Sequence, residues 1–261
     1  MSGKTAELLS IQQIRKQYGN GTLAVEDITC DVHKGEFVSI VGPSGAGKTT
    51  LLKMICGLLP PTDGRVELHG KQVTSPPPEM ILVFQDYQRS LFPWLSVRGN
   101  VMFPLKNKKM ARAEKQQAVE EAVAAVGLEE SIDKYPWQLS GGMQQRVAIA
   151  RAIAFSPEIL LLDEPFASVD ALTRMSLEDL TLQLRHKFGI TVLLVTHDID
   201  EAVYLSDRII VLSPPPSTVV REMTVELDRP REQTKTRSDP SFWELRNDLH
   251  DMIGKRQTER T

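Results

Sequence analysis

The sequence has little cysteine: two residues, Cys30 and Cys56, in 261. That is too few for a disulfide framework, and it fits a reducing compartment such as the cytosol. Long apolar runs are missing too. No stretch approaches the roughly 20 apolar residues of a membrane-spanning helix, so work at a membrane requires another chain to do the spanning. Charge of one sign is not in excess: 31 Lys and Arg against 34 Asp and Glu leave a net charge of −3. No global basic field draws the chain to nucleic acid or to a membrane surface. The N-terminus, Met1-Ser2-Gly3-Lys4-Thr5-Ala6-Glu7, is polar and lacks the apolar centre of a signal peptide. No internal repeat is visible.

What is present is an ordinary globular balance. Hydrophobic residues make up 41% and charged residues 25% of the chain, enough to bury a sizeable core. The length allows one large domain or two small ones. The organising stretch is Gly42-Pro43-Ser44-Gly45-Ala46-Gly47-Lys48-Thr49-Thr50. It follows Phe37-Val38-Ser39-Ile40-Val41, which reads as a buried parallel strand. It precedes Leu51-Leu52-Lys53-Met54-Ile55-Cys56, which reads as a helix. Strand, glycine-rich loop and helix together turn G-x-x-x-x-G-K-[ST] into a phosphate cradle. Glycines let successive backbone N–H groups point at one anion. The helix start adds unpaired N–H groups and the positive end of a dipole. Lys48 supplies a point charge for the β- and γ-phosphates, and the Thr49 hydroxyl can ligate Mg²⁺.

Taken in order, Leu8–Tyr18 and Leu23–Val32 read as strands, with a turn at Gly19-Asn20-Gly21 between them. Arg65–Leu68 is a short strand before a hairpin turn at His69-Gly70. Met80–Phe84 is a buried strand ending in Gln85. From Asp86 to about Ser156 the texture is helical, with a helix over 107–127 stopped by Gly127 and another over 143–155 closed by Pro157. Lys106, Lys108, Lys109 and Arg112 read as a solvated face. Buried strands return at 159–162, 190–195 and 208–212, with a helix through Lys187 after the first. Val219–Leu227 alternates and is placed at a sheet edge. A weak amphipathic helix is expected around Phe242–Ile253.

Three apolar strands end in polar residues: Gln85, Asp163-Glu164 and His197. Ligands of parallel α/β sheets sit off the carboxyl ends of the strands, so these ends and the phosphate loop are expected to converge on one nucleotide. Asp163 can hold Mg²⁺ through water, as a Walker-B aspartate does. Glu164 is placed to polarise the attacking water. His197 can donate to the γ-phosphate, and Gln85 can ligate Mg²⁺ or the water. Leu139-Ser140-Gly141-Gly142-Met143-Gln144-Gln145 is a second glycine-rich helix entry and hence a second anion site. Spacing leaves open whether the two sites meet within one chain or across two.

The ordered set Gly42–Thr50, Gln85, Leu139–Gln144, Ile159–Glu164, Ser168-Val169-Asp170 and His197 resembles the nucleotide-binding subunit of ATP-binding cassette (ABC) transporters, from Tyr18 to about Leu227. The resemblance implies an α/β fold: a P-loop NTPase (RecA-like) core with an antiparallel β subdomain and a helical subdomain insertion. Residues 1–85 and 157–228 would form the core with its β subdomain, 86–156 the helical subdomain and 229–261 a tail, together one ABC domain. It implies ATP and Mg²⁺ as ligands and two copies facing head to tail. Each ATP would lie between one chain's Lys48 and the other's Ser140-Gly141-Gly142. By the same resemblance Tyr18 stacks on adenine, and Ser168-Val169-Asp170 links the two sites. Met143 stands where the family most often has Gln, and Val169 where Leu is usual. Neither change removes a backbone donor.

The aromatic loop Leu91-Phe92-Pro93-Trp94-Leu95 is similar to importer ATPases for nitrate, sulfonates, taurine and bicarbonate. In that group the region after Gln85 forms a groove for a helix of the membrane subunit, and the system includes an extracytoplasmic substrate-binding protein. The resemblance implies an ATPase at the cytoplasmic face of the inner membrane, held there by its permease, with no nucleic-acid partner. An exporter ATPase would share every catalytic residue. A soluble nucleic-acid-associated ABC ATPase would carry long coiled-coil insertions or two cassettes, which this chain does not.

Overall fold

The computed structural model describes residues 7–258, with side chains except at 87, 88 and 255–258. The polar reading of residues 1–6 lies outside the described residues. The strands are β1 (Glu7–Gln17), β2 (Leu23–His33), β3 (Phe37–Val41), β4 (Asp63–Leu68), β5 (Lys71–Gln72), β6 (Met80–Val83), β7 (Ile159–Asp163), β8 (Thr191–Thr196), β9 (Arg208–Leu212) and β10 (Ser217–Thr224). The α-helices are α1 (Lys48–Ile55), α2 (Tyr87–Ser90), α3 (Val97–Met102), α4 (Arg112–Ala125), α5 (Gly141–Ala154), α6 (Ala171–Phe188), α7 (Ile199–Leu205), α8 (Gln233–Arg237) and α9 (Pro240–Thr258).

Among the described residues the strands form one ten-stranded sheet in the order β5-β4-β1-β2-β10-β9-β3-β8-β7-β6. Its parallel part has β3 between β8 and β9, then β7 and β6. Every residue of β3, β7 and β8 is buried, as helices on both faces require. The other part is antiparallel, with β1 paired to β2 and to β4. Two apolar clusters fill the two sides. One joins the helices between α3 and α7 to the parallel strands. The other joins α1 to the antiparallel strands.

The expected sheet edge at Val219–Leu227 needs one correction: Val219–Thr224 pairs with β9 alone, but Ser217 and Thr218 just before it also pair in parallel with Val25 and Asp27 of β2, which sets the start of β10 inside the sheet. Alternation reports that one face is wet. It carries no information on whether both backbone edges are paired.

The helix expected over 107–127 is shorter. α4 starts at Arg112 because Ala111 is extended (φ −63°, ψ 153°) and its amide donates to Glu114 Oε2 at 2.7 Å. Nor is Lys108 part of a solvated face. Its ammonium donates to the Phe155 carbonyl at 2.5 Å, beside the end of α5, and lies 4.1 Å from the Phe155 ring centroid. There it complements the negative end of that helix. β6 stops at Val83, and Phe84 is exposed rather than buried in a strand.

Asn100 received no role from the sequence, yet it holds the aromatic loop. It is fully buried, accepts from Phe92 N at 2.8 Å, and donates to the carbonyls of Phe92, Leu95 and Ser96 at 3.0–3.2 Å. The signal it leaves in the sequence is a lone amide in the short segment Val97–Met102. Phe92 in turn packs on Trp94 and Phe103, with centroids 5.5 and 4.4 Å apart.

Candidate functional site

The loop leaves β3 and enters α1 through Gly47, which takes a left-handed conformation (φ 69°, ψ 15°) at the N-cap. A Cβ there would sit 3.3 Å from the Ala24 carbonyl and from Val25 Cγ2, so both backbone and space favour glycine. Gly42 is crowded by Leu212, and Ala46 is buried with its amide on the Pro43 carbonyl. Ser44 and Gly45 are exposed at the mouth of the loop. Lys48 is 6% exposed, and its ammonium donates to the carbonyls of Gly42 and Pro43 at 2.9 and 3.1 Å. Burial lowers the Lys48 pKa, while the carboxylates of Glu164 and Asp163 act in the opposite sense.

The three strand ends expected to converge do so. Thr49 Oγ1 donates to Asp163 Oδ1 at 3.0 Å. Burial, at 4% exposure, raises the Asp163 pKa above the usual carboxylate range against the opposing Thr49 bond. Gln85 Nε2 donates to Glu164 Oε2 at 3.3 Å, and His197 Nδ1 lies 3.0 Å from the same oxygen. A carboxylate only accepts, so this contact places the proton on Nδ1. Glu164 has φ +44°, a strained conformation for a side-chain-bearing residue, costing about 1–2 kcal/mol. Its amide is pinned to the Val195 carbonyl at 2.9 Å, which fixes the turn after β7. Tyr18 stands beside the loop: its hydroxyl is 3.0 Å from Thr50 Oγ1 and its ring is partly exposed.

The glycine-rich entry to α5 is arranged differently. Ser140 is the N-cap, accepting from Met143 N at 3.3 Å, and Gly141 is the first helical residue. Asp170 caps α6, accepting from Thr173 N at 3.0 Å and from Thr173 Oγ1 at 2.6 Å. These bonds hold the Asp170 carboxyl below the usual carboxylate range. Gly142 meets this cap: a Cβ on it would lie 2.5 Å from Thr173 Cγ2. Sequence reading gave Gly142 only a ligand role, whereas close approach of α5 to α6 also requires it. Thr173 cannot turn away without losing its bond to Asp170. Gly142→Ala is therefore expected to cost about 1–3 kcal/mol by overpacking. Thr173→Ser, which keeps the hydroxyl and removes the methyl, should restore most of it. Urea unfolding of the two single variants and the double variant measures this, and an undiminished loss in the Thr173→Ser background would refute the packing role.

A buried ammonium, a glycine-containing loop at a helix start, and a hydroxyl and carboxylates at adjoining strand ends define a P-loop nucleotide site. Such a donor set also fits Mg²⁺, which takes one or two carboxylate or hydroxyl oxygens beside substrate phosphates. The ABC transporter family profile matches residues 25–167, and the chain belongs to that family. It is 44% identical over 248 residues to the bicarbonate transport ATP-binding protein CmpC of Synechococcus elongatus, covering 92% of this chain but 37% of that protein's length. It is 41% identical over 237 residues to the nitrate import ATP-binding protein NrtD of the same organism, covering 90% of this chain and 86% of the relative. The dimeric ATP-binding cassette MJ0796, in a post-hydrolysis state bound to ADP and Pi, superposes with a TM-score of 0.73 at 34% identity, covering 84% of this chain and 99% of that one. The fold is that of an ATP-binding cassette. No helix among the described residues is long and apolar enough to cross a membrane.

Proposed function

We propose that this chain is the ATP-hydrolysing subunit of a transport complex that imports a small anion. The observation that carries the reading is the convergence of Lys48, Asp163, Glu164, Gln85 and His197 at one end of the parallel sheet. Lys48 holds the β- and γ-phosphates by charge. Thr49, Gln85 and Asp163 would hold Mg²⁺, which would supply positive charge against the charge developing on the phosphate oxygens. Glu164 takes a proton from the attacking water, and His197 holds the transferred group. With Nδ1 on Glu164, Nε2 is the ring nitrogen left for the phosphate. Tyr18 supplies a ring for the base.

Ser140, Gly141, Gly142 and Asp170 serve the nucleotide of a second copy. Two-fold symmetry then makes two sites at once, and the dimeric cassette of the same family supports that arrangement. The relatives' names favour bicarbonate or nitrate as cargo and lend nothing to a sulfonate or taurine. Integral membrane subunits and an extracytoplasmic binding protein complete the complex, which sets this subunit at the cytoplasmic face of the membrane. The groove between Val83, Phe92, Phe103 and Phe155, beside a Trp94 ring that is 70% exposed, suits a helix of the membrane subunit.

The test is ATP-driven uptake of labelled bicarbonate and nitrate into proteoliposomes holding the chain with its membrane subunits. One of the two anions should accumulate. Phe92→Ser with Trp94→Ser should abolish co-purification with the membrane subunits while ATP binding persists. Co-purification with DNA or ribosomes instead, and no anion uptake, would defeat the proposal.

A further inference from the structure

We infer that Arg174 is a positioning residue that sets the orientation of His197 from the helix capped by Asp170. The inference rests on the reading of His197 and Glu164 as the reacting end of the site. Arg174 lies in the first turn of α6, its amide on the Asp170 carbonyl at 2.9 Å. Its side chain crosses to the segment carrying His197. Nη1 donates to Asp198 Oδ2 at 2.8 Å, and Nε lies 3.7 Å from Glu201 Oε1.

Among the described residues the imidazole has one polar contact of its own, to Glu164, so its direction depends on the residues either side. Both are locked. Thr196 Oγ1 donates to Glu201 Oε2 at 2.7 Å and accepts from Asp198 N at 3.0 Å. Asp198 Oδ1 accepts from Asp200 N and Glu201 N at 2.9 and 3.2 Å, which starts α7. Arg174 is the cation at the centre of this lock. Glu201 is buried, and burial with help from Asp198 and Glu178 pushes its pKa up to about 7, which Arg174 opposes. The third carboxylate of that turn, Asp200, is held from the other side by Arg246 at 2.6 Å and Arg237 at 3.9 Å. Without Arg174, Asp198 keeps its helix-capping bonds but loses the anchor that fixes its side chain against α6. The flank of His197 at Asp198 is then held by the capping bonds and the Asp198 amide alone, with no bond among the described residues tying it to α6.

The geometry also ties two loops that sequence reading treated separately. Asp170 begins the turn that Arg174 completes, and the same turn packs on Gly142 through Thr173. A shift of that cap reaches His197 through one guanidinium.

The experiment is a double-variant cycle on ATP turnover by the full chain. Arg174→Met, which keeps length and removes charge, should lower kcat about 10- to 100-fold, the size of effect that misplacing a reacting group produces. KM for ATP should stay within about twofold, because no ATP contact is lost. Arg174→Lys should recover part of kcat. In a His197→Ala background, Arg174→Met should cost little more, because its effect runs through the imidazole. Multiplying effects in the double variant, or an unchanged kcat in Arg174→Met, would overturn the inference while leaving the site reading intact. An unchanged kcat in His197→Ala would overturn the site reading and this inference with it. Should Arg174→Met not fold, Arg174→Lys carries the same cycle with a smaller drop and the same required non-additivity.

Discussion

Glu164→Gln is expected to lower ATP turnover by about 10²–10⁴-fold, the loss typical of removing a general base or an essential charge-stabilising group. The substitution is nearly isosteric. An amide oxygen at position 164 still accepts from Gln85 Nε2 and His197 Nδ1, so the hydrogen bonds at 3.3 and 3.0 Å survive. What disappears is the ability to take a proton. Lys48, Thr49 and Asp163 are untouched, so ATP binding should persist and the bound state should accumulate as a dimer. Phosphate release under single-turnover conditions reads the first effect, and sedimentation with ATP the second. Normal turnover in this variant would remove Glu164 from the chemistry. A fall in turnover together with lost binding would point to collapse of the strained turn at Glu164 instead.

Mixing two inactive variants should restore activity. Lys48→Ala removes the phosphate-holding charge on one side of the composite site, and Ser140→Arg blocks the other. Each pure variant has both its sites spoiled and should hydrolyse ATP at background rate. In a mixed dimer one site joins the intact Lys48 of one chain to the intact Ser140 of the other, and the second site carries both defects. Random pairing of equal amounts makes half the dimers mixed, so roughly a quarter of the sites are repaired, given the two-fold geometry. Turnover near that fraction in the mixture, against none in either alone, is the expected reading. A mixture as inactive as its components would show that the two halves do not meet across chains.

Much of the site was legible because its chemistry is local. The phosphate loop needs a run of adjacent amides and one lysine, and the sequence carries both in nine consecutive residues. The strand ends were legible because the buried runs at 159–162 and 190–195 stop at polar residues, and parallel strands place such ends together. Contacts between distant segments were not. Gly142 looks like a ligand glycine, and only the packed helices disclose Thr173 against it. Asn100 and Arg174 are a lone amide and a lone guanidinium on helices, and nothing in their neighbours' identities names their partners 4–8 and 24 positions away. The pairing of Ser217 and Thr218 with β2 was hidden for the same reason: a side-chain pattern says nothing of which backbones lie beside it.

That pairing has a consequence for how the molecule is made. Strands β1 and β2 of the antiparallel ribbon are made before the central strand β3, which follows them closely in the chain. Yet among the described residues the ribbon pairs with the rest of the sheet through β10, the last strand in chain order, whose Ser217 and Thr218 meet β2. A nascent chain that has already formed the nucleotide loop therefore still has an unsealed seam next to β2. Closing it demands a contact spanning close to two hundred positions, the kind of long loop closure that slows folding and leaves raw strand edges waiting.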